Sequence, residues 1–479
     1  MQDTGNPEEY PLLKDGSGKG TVTPHSVTVG PDGYLWVTTH NSMLVQVHPK
    51  SIANQLKVTN DVRPLSAGII PDPYPQRPDG KKVVWFASPA HEQDYDPVIE
   101  YDIVNHKRLN EFKLADDARA QTITPLLINT GTQAAPVWAY WIMFAEPVHT
   151  LVGYCDPKDE SSTARKYPFP DPKQNPVYDT WLWSVAVTAP EGAKTLKECV
   201  YWATGQVSTT GNYERKTNSV YKYAPAKDDQ PKPISLPGGS GQKPVHIVAS
   251  PKGDAVWVGA ENPNQICRYD TELRNWTQRD ISGGGTPRQM MLATDGNLWV
   301  ACSNGISRFR TDESITELPG PELPSGGDAM GLCLDRSGNK WVWYTNPTNM
   351  SIGKYPIPDD PKNFSGKTQF VAQMVGETAP GQLTGMSGVV QYISNGIPIH
   401  GVPLTCHVVS DGGTTFSDGT TETLLTTDAR GQAALPALRA GQEEDQVVLK
   451  VSHGDSEPPT TISLCVRSEP GKSTEADES

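Results

Sequence analysis

One short stretch of the chain, residues 91–96, brings together side chains that could ligate a metal ion. It contains His91, Glu92, Asp94 and Asp96, and imidazole and carboxylate groups are common ligands of divalent cations. The stretch follows a strand-like segment, so we expect it to form a loop. A solvated polar loop is the default interpretation of such a run, and a metal site is the alternative.

Three further residues could bind a ligand. Arg288 follows a glycine turn at residues 283–285 and could contact an anionic group, although a surface or stacking arginine fits the pattern equally well. Trp181 and Trp183 could form platforms for a sugar, but alternate tryptophans in a strand usually pack between sheets. The chain has no GxSxG, HExxH or P-loop motif, so the common hydrolase and nucleotide-binding functions have no local support.

Length and charge limit the possible functions. The 479 residues suggest two domains, and the formal net charge of −14 opposes the phosphate contacts on which nucleic-acid binding depends. No stretch approaches the roughly 20 apolar residues of a membrane-spanning helix, and the first residues do not resemble a signal peptide. We therefore expect a soluble chain that binds no nucleic acid, and the sequence does not tell whether a targeting segment was removed.

A turn followed by Trp-Val recurs along the first three quarters of the chain. Glycine supplies the positive φ of a tight hairpin turn, and the β-branched and aromatic residues after it suit a strand. Apolar segments flank each turn, so each copy predicts a four-stranded sheet, and a repeat of this kind predicts a β-propeller. The clear copies are residues 32–37, 253–258, 295–300 and 337–342, and a weaker copy is 79–86.

Seven tryptophans mark one strand in each of seven predicted blades. The signature weakens in the middle, where Trp141 is placed in the third blade and Trp202 in the fourth. Trp183 is an alternative centre for the fourth blade, and reading residues 181–187 and 200–203 as one hairpin keeps the count at seven. Eight blades is the other alternative. The seven are Trp36, Trp85, Trp141, Trp202, Trp257, Trp299 and Trp341.

The third and fourth blades also carry the longest predicted loops. Residues 156–178 are rich in Pro, Lys and Asp, and we expect a loop that is either functional or disordered. Its acidic run, residues 156–160, lacks the glycine pattern of a calcium-binding loop.

The last part of the chain lacks the propeller signature and predicts a small β-sandwich. Residues 395–405 and 426–433 resemble the bacterial immunoglobulin-like domains of the invasin and intimin type. The resemblance implies a spacer or adhesive module of an exported bacterial protein, so an extracellular or exported location is favoured. The predicted organisation is an all-β chain with a seven-bladed propeller at 1–375, an immunoglobulin-like sandwich at 376–468 and a disordered tail at 469–479.

Seven cysteines are spread along the chain without a CxxC motif, which excludes a zinc ribbon. Most are expected to be buried thiols that pack as small apolar side chains. Cys406 and Cys465 are the best candidates for a disulfide.

The propeller segments resemble the streptogramin (virginiamycin B) lyase family, most closely at residues 329–335, 338–342 and 351–355. The resemblance implies a magnesium ion on the central axis, held by histidine and glutamate, and a catalytic histidine that opens a cyclic depsipeptide by elimination. The family's histidine position corresponds here to His25, Leu65, Val245, Arg288 and Met330, with His246 one residue later. Its glutamate position corresponds to Thr39, Ser88, Ala260, Cys302 and Tyr344, none of which is a carboxylate.

Two functions are consistent with these patterns. The first is a binding protein that holds a small molecule, peptide, glycan or protein at the mouth of the propeller, with His25, His246, Arg288 and Met330 as ligand-binding residues. The alternative is a diverged lyase that works by metal-assisted elimination, or a hydrolase. His25 would then be the best candidate for the catalytic base, and Mg²⁺ is expected as a cofactor only in that case.

Overall fold

In the computed structural model of the chain, the regular elements of the described residues are β-strands, apart from two short 3-10 helices at Leu196–Glu198 and Ser282–Gly284. None of the helices in the described part of the chain is long and apolar enough to cross a membrane. The structure describes residues 7–14, 16–41, 43–49, 51–52, 55–59, 68–71, 80–87, 98–112, 122–129, 138–146, 151–155, 165–168, 180–189, 193–207, 219–227, 231–239, 241–250, 253–293, 295–311, 313–318, 320, 323, 327–335, 341–357, 367–372, 377–378, 389–394, 397–398, 403–427, 432–443, 445–452 and 460–466.

The first unit contains 28 strands arranged in seven four-stranded sheets. In chain order they are β1 (Glu8–Pro11), β2 (Pro24–Val29), β3 (Leu35–Thr39), β4 (Leu44–Val47), β5 (Gln55–Thr59), β6 (Ile69–Pro71), β7 (Val83–Ala87), β8 (Val98–Asp102), β9 (Lys107–Phe112), β10 (Ile123–Asn129), β11 (Trp138–Glu146), β12 (Leu151–Cys155), β13 (Arg165–Pro168), β14 (Thr180–Thr188), β15 (Val200–Val207), β16 (Ser219–Tyr223), β17 (Lys232–Ser235), β18 (Lys243–Ala249), β19 (Ala255–Glu261), β20 (Gln265–Asp270), β21 (Asn275–Asp280), β22 (Pro287–Leu292), β23 (Asn297–Cys302), β24 (Gly305–Arg310), β25 (Glu317–Leu318), β26 (Leu332–Leu334), β27 (Trp341–Asn346) and β28 (Ser351–Pro356).

These seven sheets form a closed ring. Six of them are built from four consecutive antiparallel strands, beginning with β2, β6, β10, β14, β18 and β22. The seventh contains β26, β27 and β28, and the N-terminal strand β1 pairs with β28 to complete it. The first strand of each sheet contacts the first strand of the next, and β26 contacts β2. The all-β propeller prediction is confirmed, and the described residues form seven sheets.

A local hydrogen bond explains why the sequence signature joins an aspartate to a tryptophan. In the first sheet the indole Nε1 of Trp36 donates to the carboxylate of Asp32 at 3.1 and 3.2 Å. In the sixth sheet Trp299 donates in the same way to Asp295 at 3.1 Å. The glycine after each aspartate has positive φ, which closes the turn between the two residues. The signature therefore buries a large indole while satisfying its one polar group.

The fifth sheet shows what happens when the aspartate is missing. Gly253 stands four residues before Trp257, and the buried Nε1 of this tryptophan has no hydrogen-bond partner. Its ring remains buried in the interface between neighbouring sheets. Burial of the indole is thus the common feature of these sheets. Where the turn contains an aspartate, its carboxylate also gives the indole N–H a hydrogen-bond acceptor.

The seventh sheet departs from the predicted register. The backbone bond that closes its first turn runs from Asp335 N to Trp341 O, whereas the sixth sheet uses Ala293 N and Asn297 O, two residues before Trp299. The residue that matches Trp299 is therefore Trp343, which is 2% exposed, and placing Trp341 at this position was wrong. The first turn of the seventh sheet is two residues longer than that of the sixth sheet. A residue count from the sixth sheet therefore reaches Trp341 instead of Trp343.

The middle of the ring follows the predicted hairpin. Strands β14 and β15 pair as neighbours in one sheet. Trp183 lies in the innermost strand of this sheet and Trp202 in the second strand, so Trp202 is the residue that matches the other tryptophan strands. Trp141 lies in β11, as expected for the third sheet. The predicted loop 156–178 was only partly correct, because it contains β13, the fourth strand of that sheet.

The second unit contains three small sheets. Its strands are β29 (Lys367–Ala372), β30 (Glu377–Thr378), β31 (Val389–Ser394), β32 (Ile397–Pro398), β33 (Pro403–Val409), β34 (Thr415–Phe416), β35 (Glu422–Thr426), β36 (Gln432–Ala434), β37 (Leu438–Arg439), β38 (Asp445–Ser452) and β39 (Thr460–Val466). The largest sheet has the order β30-β39-β38-β33-β35. Strand β29 pairs with β31, so the pairing crosses the boundary predicted at residue 376. The immunoglobulin-like class and the domain boundaries stay predictions.

The disulfide expected between Cys406 and Cys465 was wrong, because Cys406 is a buried free thiol. Strand β38 lies between β33, which holds Cys406, and β39, which holds Cys465. Two interstrand spacings, about 9.5 Å, separate the two backbones, which is beyond the reach of a disulfide. The expectation of buried thiols is met by Cys199, Cys267 and Cys302.

A single carboxylate fastens the end of the ring. Glu9 on β1 accepts hydrogen bonds from Tyr344 Oη at 3.2 Å and Asn346 Nδ2 at 2.8 Å. It also accepts from Asn349 Nδ2 at 3.0 Å and Ser351 Oγ at 3.1 Å. Because β1 comes from the opposite end of the propeller sequence, these bonds join the beginning of the ring to its last sheet.

Replacing Asp295 by alanine is expected to lower the free energy of unfolding by about 2 to 4 kcal/mol. Asp295 is 2% exposed, and its loss leaves the indole of Trp299 without its hydrogen-bond acceptor and the guanidinium of Arg308, 3.9 Å away, without its ion-pair partner. Urea unfolding followed by tryptophan fluorescence measures the change. Asp254→Ala, at an exposed position of the fifth sheet's turn, is the control and should change stability by less than about 0.5 kcal/mol. Equal effects of the two substitutions would contradict the role of the Asp–Trp bond.

Glu9→Ala is expected to cost about 2 to 3 kcal/mol, because four donors in the last sheet lose their acceptor. Glu8→Ala on the same strand is the control. Glu8 is exposed and contacts Lys354 at 3.1 Å, so its loss should cost under about 1 kcal/mol. Urea unfolding of both variants tests whether the carboxylate of Glu9 fastens the ring, and an unchanged midpoint for Glu9→Ala would exclude it.

Candidate functional site

The innermost strands begin with irregular pairing that frees side chains at one end of the ring. Register shifts interrupt β2 between Pro24 and Val27, β18 between Pro244 and His246, and β22 between Pro287 and Met290. Such bulges re-aim side chains next to sites. The freed residues are His25, Ser26, Val245, Arg288 and Gln289. We call this end of the channel, where the seven innermost strands begin, the start end.

Side chains satisfy the backbone groups that the bulges leave unpaired. Thr345 Oγ1 donates to His25 O at 2.5 Å and accepts from Gly331 N at 2.8 Å, which ties the seventh sheet to the first. Gln289 Oε1 accepts from Leu332 N at 2.9 Å and so joins the sixth sheet to the seventh. The start end is therefore a hydrogen-bonded rim that holds its remaining side chains in place.

His25 lies partly buried on this rim. Its ring packs edge-on against His40, with 5.0 Å between ring centroids, and its Nδ1 lies 3.0 Å from Ser26 Oγ. Burial, with smaller contributions from His40 and the guanidinium of Arg288, lowers the pKa of His25 to about 3. The imidazole is therefore neutral at pH 7, and its low basicity suits a hydrogen-bonding group better than a general base.

His246 also lies partly buried, and its side chain lines the channel. Its Nδ1 atom is buried and has no hydrogen-bond partner. Burial lowers the pKa of this histidine to about 4, so it too is neutral at pH 7. The bulge in β18 accounts for its orientation, since the shift lies directly before it.

Arg288 and Asp328 form the charged part of the start end. The Nε atom of Arg288 and the Oδ1 atom of Asp328 are both buried without a hydrogen-bond partner. Burial raises the pKa of Asp328, and the guanidinium of Arg288 partly opposes this shift. No ion pair joins the two side chains among the ion pairs of the described residues. They are close enough to interact electrostatically but not to satisfy each other.

The positions that would carry glutamate in the lyase family are not acidic here. Thr39, Ala260 and Cys302 are buried at the ends of their strands. Assigning Tyr344 to the glutamate position of the seventh sheet was wrong, because the shifted register puts Asn346 at this position, where it binds Glu9. Ser88 lies outside the described residues.

The remaining predicted site residues are more scattered. Met330 is partly buried, and its backbone N donates to Thr345 O at 3.0 Å. Leu65 lies outside the described residues. So do the metal-ligand candidates His91, Glu92, Asp94 and Asp96. Within the described ranges, no three His, Cys, Asp or Glu side chains come close enough to hold a metal ion.

The innermost strands enclose a central cavity of about 460 Å³. All seven strands contribute, and consecutive residues of each line the cavity, because each is the edge strand of its sheet and turns a free backbone edge inward. Most of the lining residues on these strands are apolar, and many of their side chains pack between neighbouring sheets. The partly exposed apolar side chains include Val29, Ile70, Val248 and Met291. His246 lines the cavity, whereas His25, Arg288 and Met330 do not.

The second unit covers the other end of the cavity. Strand β26 runs away from the start end, β27 returns and β28 runs away again, so the chain leaves the ring at the opposite end, which we call the turn end. Residues 422–427 and 433–434 of the second unit line the cavity together with Asp32, Lys81 and Lys82 of the turns. The start end is thus the end that the second unit leaves uncovered.

Sequence patterns did not identify His40, Thr122, Gln289 or Asp328 as site residues. Gln289 bonds to Leu332 and His40 packs against His25, but no sequence motif marks either residue. Asp328 precedes β26 and is placed by a bond from Ala329 N to Cys302 O, a contact between two sheets. One signal was available for Gln289: it follows Arg288, at the position that His246 occupies in the fifth sheet.

No protein-family model matches the chain, and no curated protein matches it. Among solved structures, the chain is similar to a catalytically inactive variant of virginiamycin B lyase from Staphylococcus aureus with quinupristin. The identity is 17% and the TM-score 0.51, over 74% of this chain and 99% of that chain. Selenomethionine-substituted virginiamycin B lyase from the same organism matches with 17% identity, a TM-score of 0.50 and the same coverage. At this identity the likeness shows the propeller fold alone.

Lowering the pH from 7 to 5 should reduce the free energy of unfolding by about 1 to 2 kcal/mol for each of His25 and His246. Their folded pKa values of about 3 and about 4 lie below the ordinary value of 6.5, so the unfolded chain binds protons that the folded chain does not. Stability is therefore fully present above pH 6.5 and falls as the pH drops toward 3. Urea unfolding at both pH values should show a smaller loss for His25→Gln and His246→Gln than for the wild type. An identical loss in all three proteins would contradict the burial of neutral imidazoles.

Proposed function

We propose that this protein is a binding protein that holds a small amphiphilic molecule in the central cavity of its propeller. The observation that carries the proposal is the cavity itself, about 460 Å³ and lined by all seven innermost strands. Cavities of this size, apolar with a few placed polar groups, are typical of small-molecule sites. The finer assignment of His25, His246, Arg288 and Met330 as ligand-binding residues is part of this proposal.

The lining supports an amphiphilic ligand. Partly exposed apolar side chains such as Val248 and Met291 offer surface for an apolar group, with a favourable free energy of about 25 cal/mol per Å² buried. The free edges of the innermost strands add backbone N–H and C=O groups that can bond a polar group. A ligand that matched only one of these features would leave the other unsatisfied.

Catalysis of the lyase type has less support. The glutamate positions of that family are occupied by uncharged residues, including Thr39, Ala260 and Asn346. The best candidate for a base, His25, has a pKa of about 3, far from the value near 7 that favours general base catalysis. The described residues at these positions include hydrogen-bonding groups, but none of them is a carboxylate that could hold Mg²⁺. Binding is therefore the function that these residues favour.

The neutral solvatochromic dye PRODAN is expected to bind the wild-type protein with a stoichiometry of one and blue-shifted emission. Val248→Trp should weaken this binding at least tenfold, because Val248 lines the cavity and the larger side chain fills part of it. Fluorescence titration measures both. Urea unfolding verifies that the variant is folded, and Val248→Phe provides a smaller filling change that should weaken binding to an intermediate degree.

Val104→Trp is the matched control, since Val104 is 62% exposed on the outer surface. This variant should bind the dye like the wild type. If neither substitution at Val248 changed the affinity for the dye, the dye would bind outside the cavity. If the wild-type protein did not bind the dye, the proposed small-molecule site would lose its support.

A further inference from the structure

The central cavity is polar at the start end and apolar along its middle, and polar residues such as Lys81, Lys82 and Glu422 line it again at the turn end. At the start end, four innermost strands begin their lining segments with a polar residue: Thr122, Ser184, His246 and Gln289. The residues that follow them along each strand are mainly Val, Ile, Leu and Met. A bound molecule with its polar group at the start end would therefore place its apolar group in the middle of the cavity.

Four polar atoms near the start end lack partners in the free protein. Thr122 Oγ1, His246 Nδ1, Arg288 Nε and Asp328 Oδ1 are each buried and make no hydrogen bond. Buried polar groups without partners are uncommon in folded proteins, because each costs about 1 to 3 kcal/mol. Thr122 and His246 line the cavity at this end, and Arg288 and Asp328 lie on the rim beside it, so a ligand at the start end is positioned to supply partners to these side chains.

The two charged members of this group specify the ligand's charge. Arg288 precedes Gln289, which lines the cavity, and Asp328 lies beside the end of β23, through the bond from Ala329 N to Cys302 O. One is a fixed donor and the other an acceptor, and they form no ion pair with each other. A ligand with only a negative charge would leave Asp328 unpaired and close to a like charge. A ligand with only a positive charge would leave Arg288 unpaired and close to a like charge.

We propose that the start end binds the zwitterionic head group of an apolar α-amino acid, with its carboxylate on Arg288 and its ammonium group on Asp328. The apolar side chain of the amino acid then extends into the cavity among the partly exposed side chains of Ile70, Val248 and Met291. The inference rests on the proposed function and names the chemical class of its ligand. Neutral His246 and Thr122 supply further hydrogen bonds to the head group without adding charge.

Isothermal titration calorimetry with the full chain tests this ligand class. The probes are L-phenylalanine and L-leucine, with 3-phenylpropanoate and phenethylamine as analogues of phenylalanine that each keep one charged group. Glycine keeps the head group without the apolar side chain. The wild-type protein should bind at least one of the two amino acids, and L-phenylalanine at least tenfold more tightly than either analogue or glycine if it is the one that fits.

Two substitutions assign the charges. Arg288→Met should weaken amino-acid binding at least tenfold and remove the preference over phenethylamine, because the carboxylate loses its partner. Asp328→Asn should remove the preference over 3-phenylpropanoate. Arg310→Met, at an exposed arginine on the third strand of the sixth sheet, is the control and should leave every affinity unchanged.

The outcomes separate this inference from the proposed function. Dye binding without amino-acid binding would overturn the ligand class and leave the small-molecule site standing. Equal affinity for the zwitterion and the single-charge analogues would also overturn it, as would amino-acid binding that survives both Arg288→Met and Asp328→Asn. Failure of both the dye and the amino acids would overturn the proposed function as well.

Discussion

Each four-stranded sheet of this protein has two apolar faces, and it can bury both only between two neighbouring sheets. A row of such sheets would leave two faces exposed at its ends, so the row closes into a ring. Closure needs a strand from the beginning of the chain in the last sheet, and the carboxylate of Glu9 fastens that strand to donors on β27 and on the segment up to the start of β28. The rest of the structure depends on this closure, because an open ring would expose the faces on both sides of the gap.

The same closure creates the cavity. Seven innermost strands converge on one axis, and none of them has a further strand to pair with, so their backbone edges and side chains surround an empty centre. At the start end, bulges turn polar side chains inward, while the second unit covers the turn end. Whether a residue lines the cavity depends on its position along the channel, and no sequence motif marks these positions.

The fold could be predicted because its signature is local. Asp295 and Trp299 lie four residues apart and bond each other directly, so their spacing is visible in the sequence. The prediction failed where a turn changed length, as at Trp341, whose position in the sheet belongs to Trp343. It failed again for the cysteines, since the order of strands in the second unit separates Cys406 from Cys465.

The candidate site was harder to predict, because its residues come from different sheets. His25 and Arg288 could be found by aligning strands, but Asp328 lies in a segment without a repeat, and only the contact with Cys302 brings it to the rim. Its importance lies in charge balance: the neutral histidines leave Arg288 and Asp328 as the opposing charges that define the rim. A rim with opposite charges and weakly basic imidazoles can orient a ligand more readily than it can remove a proton.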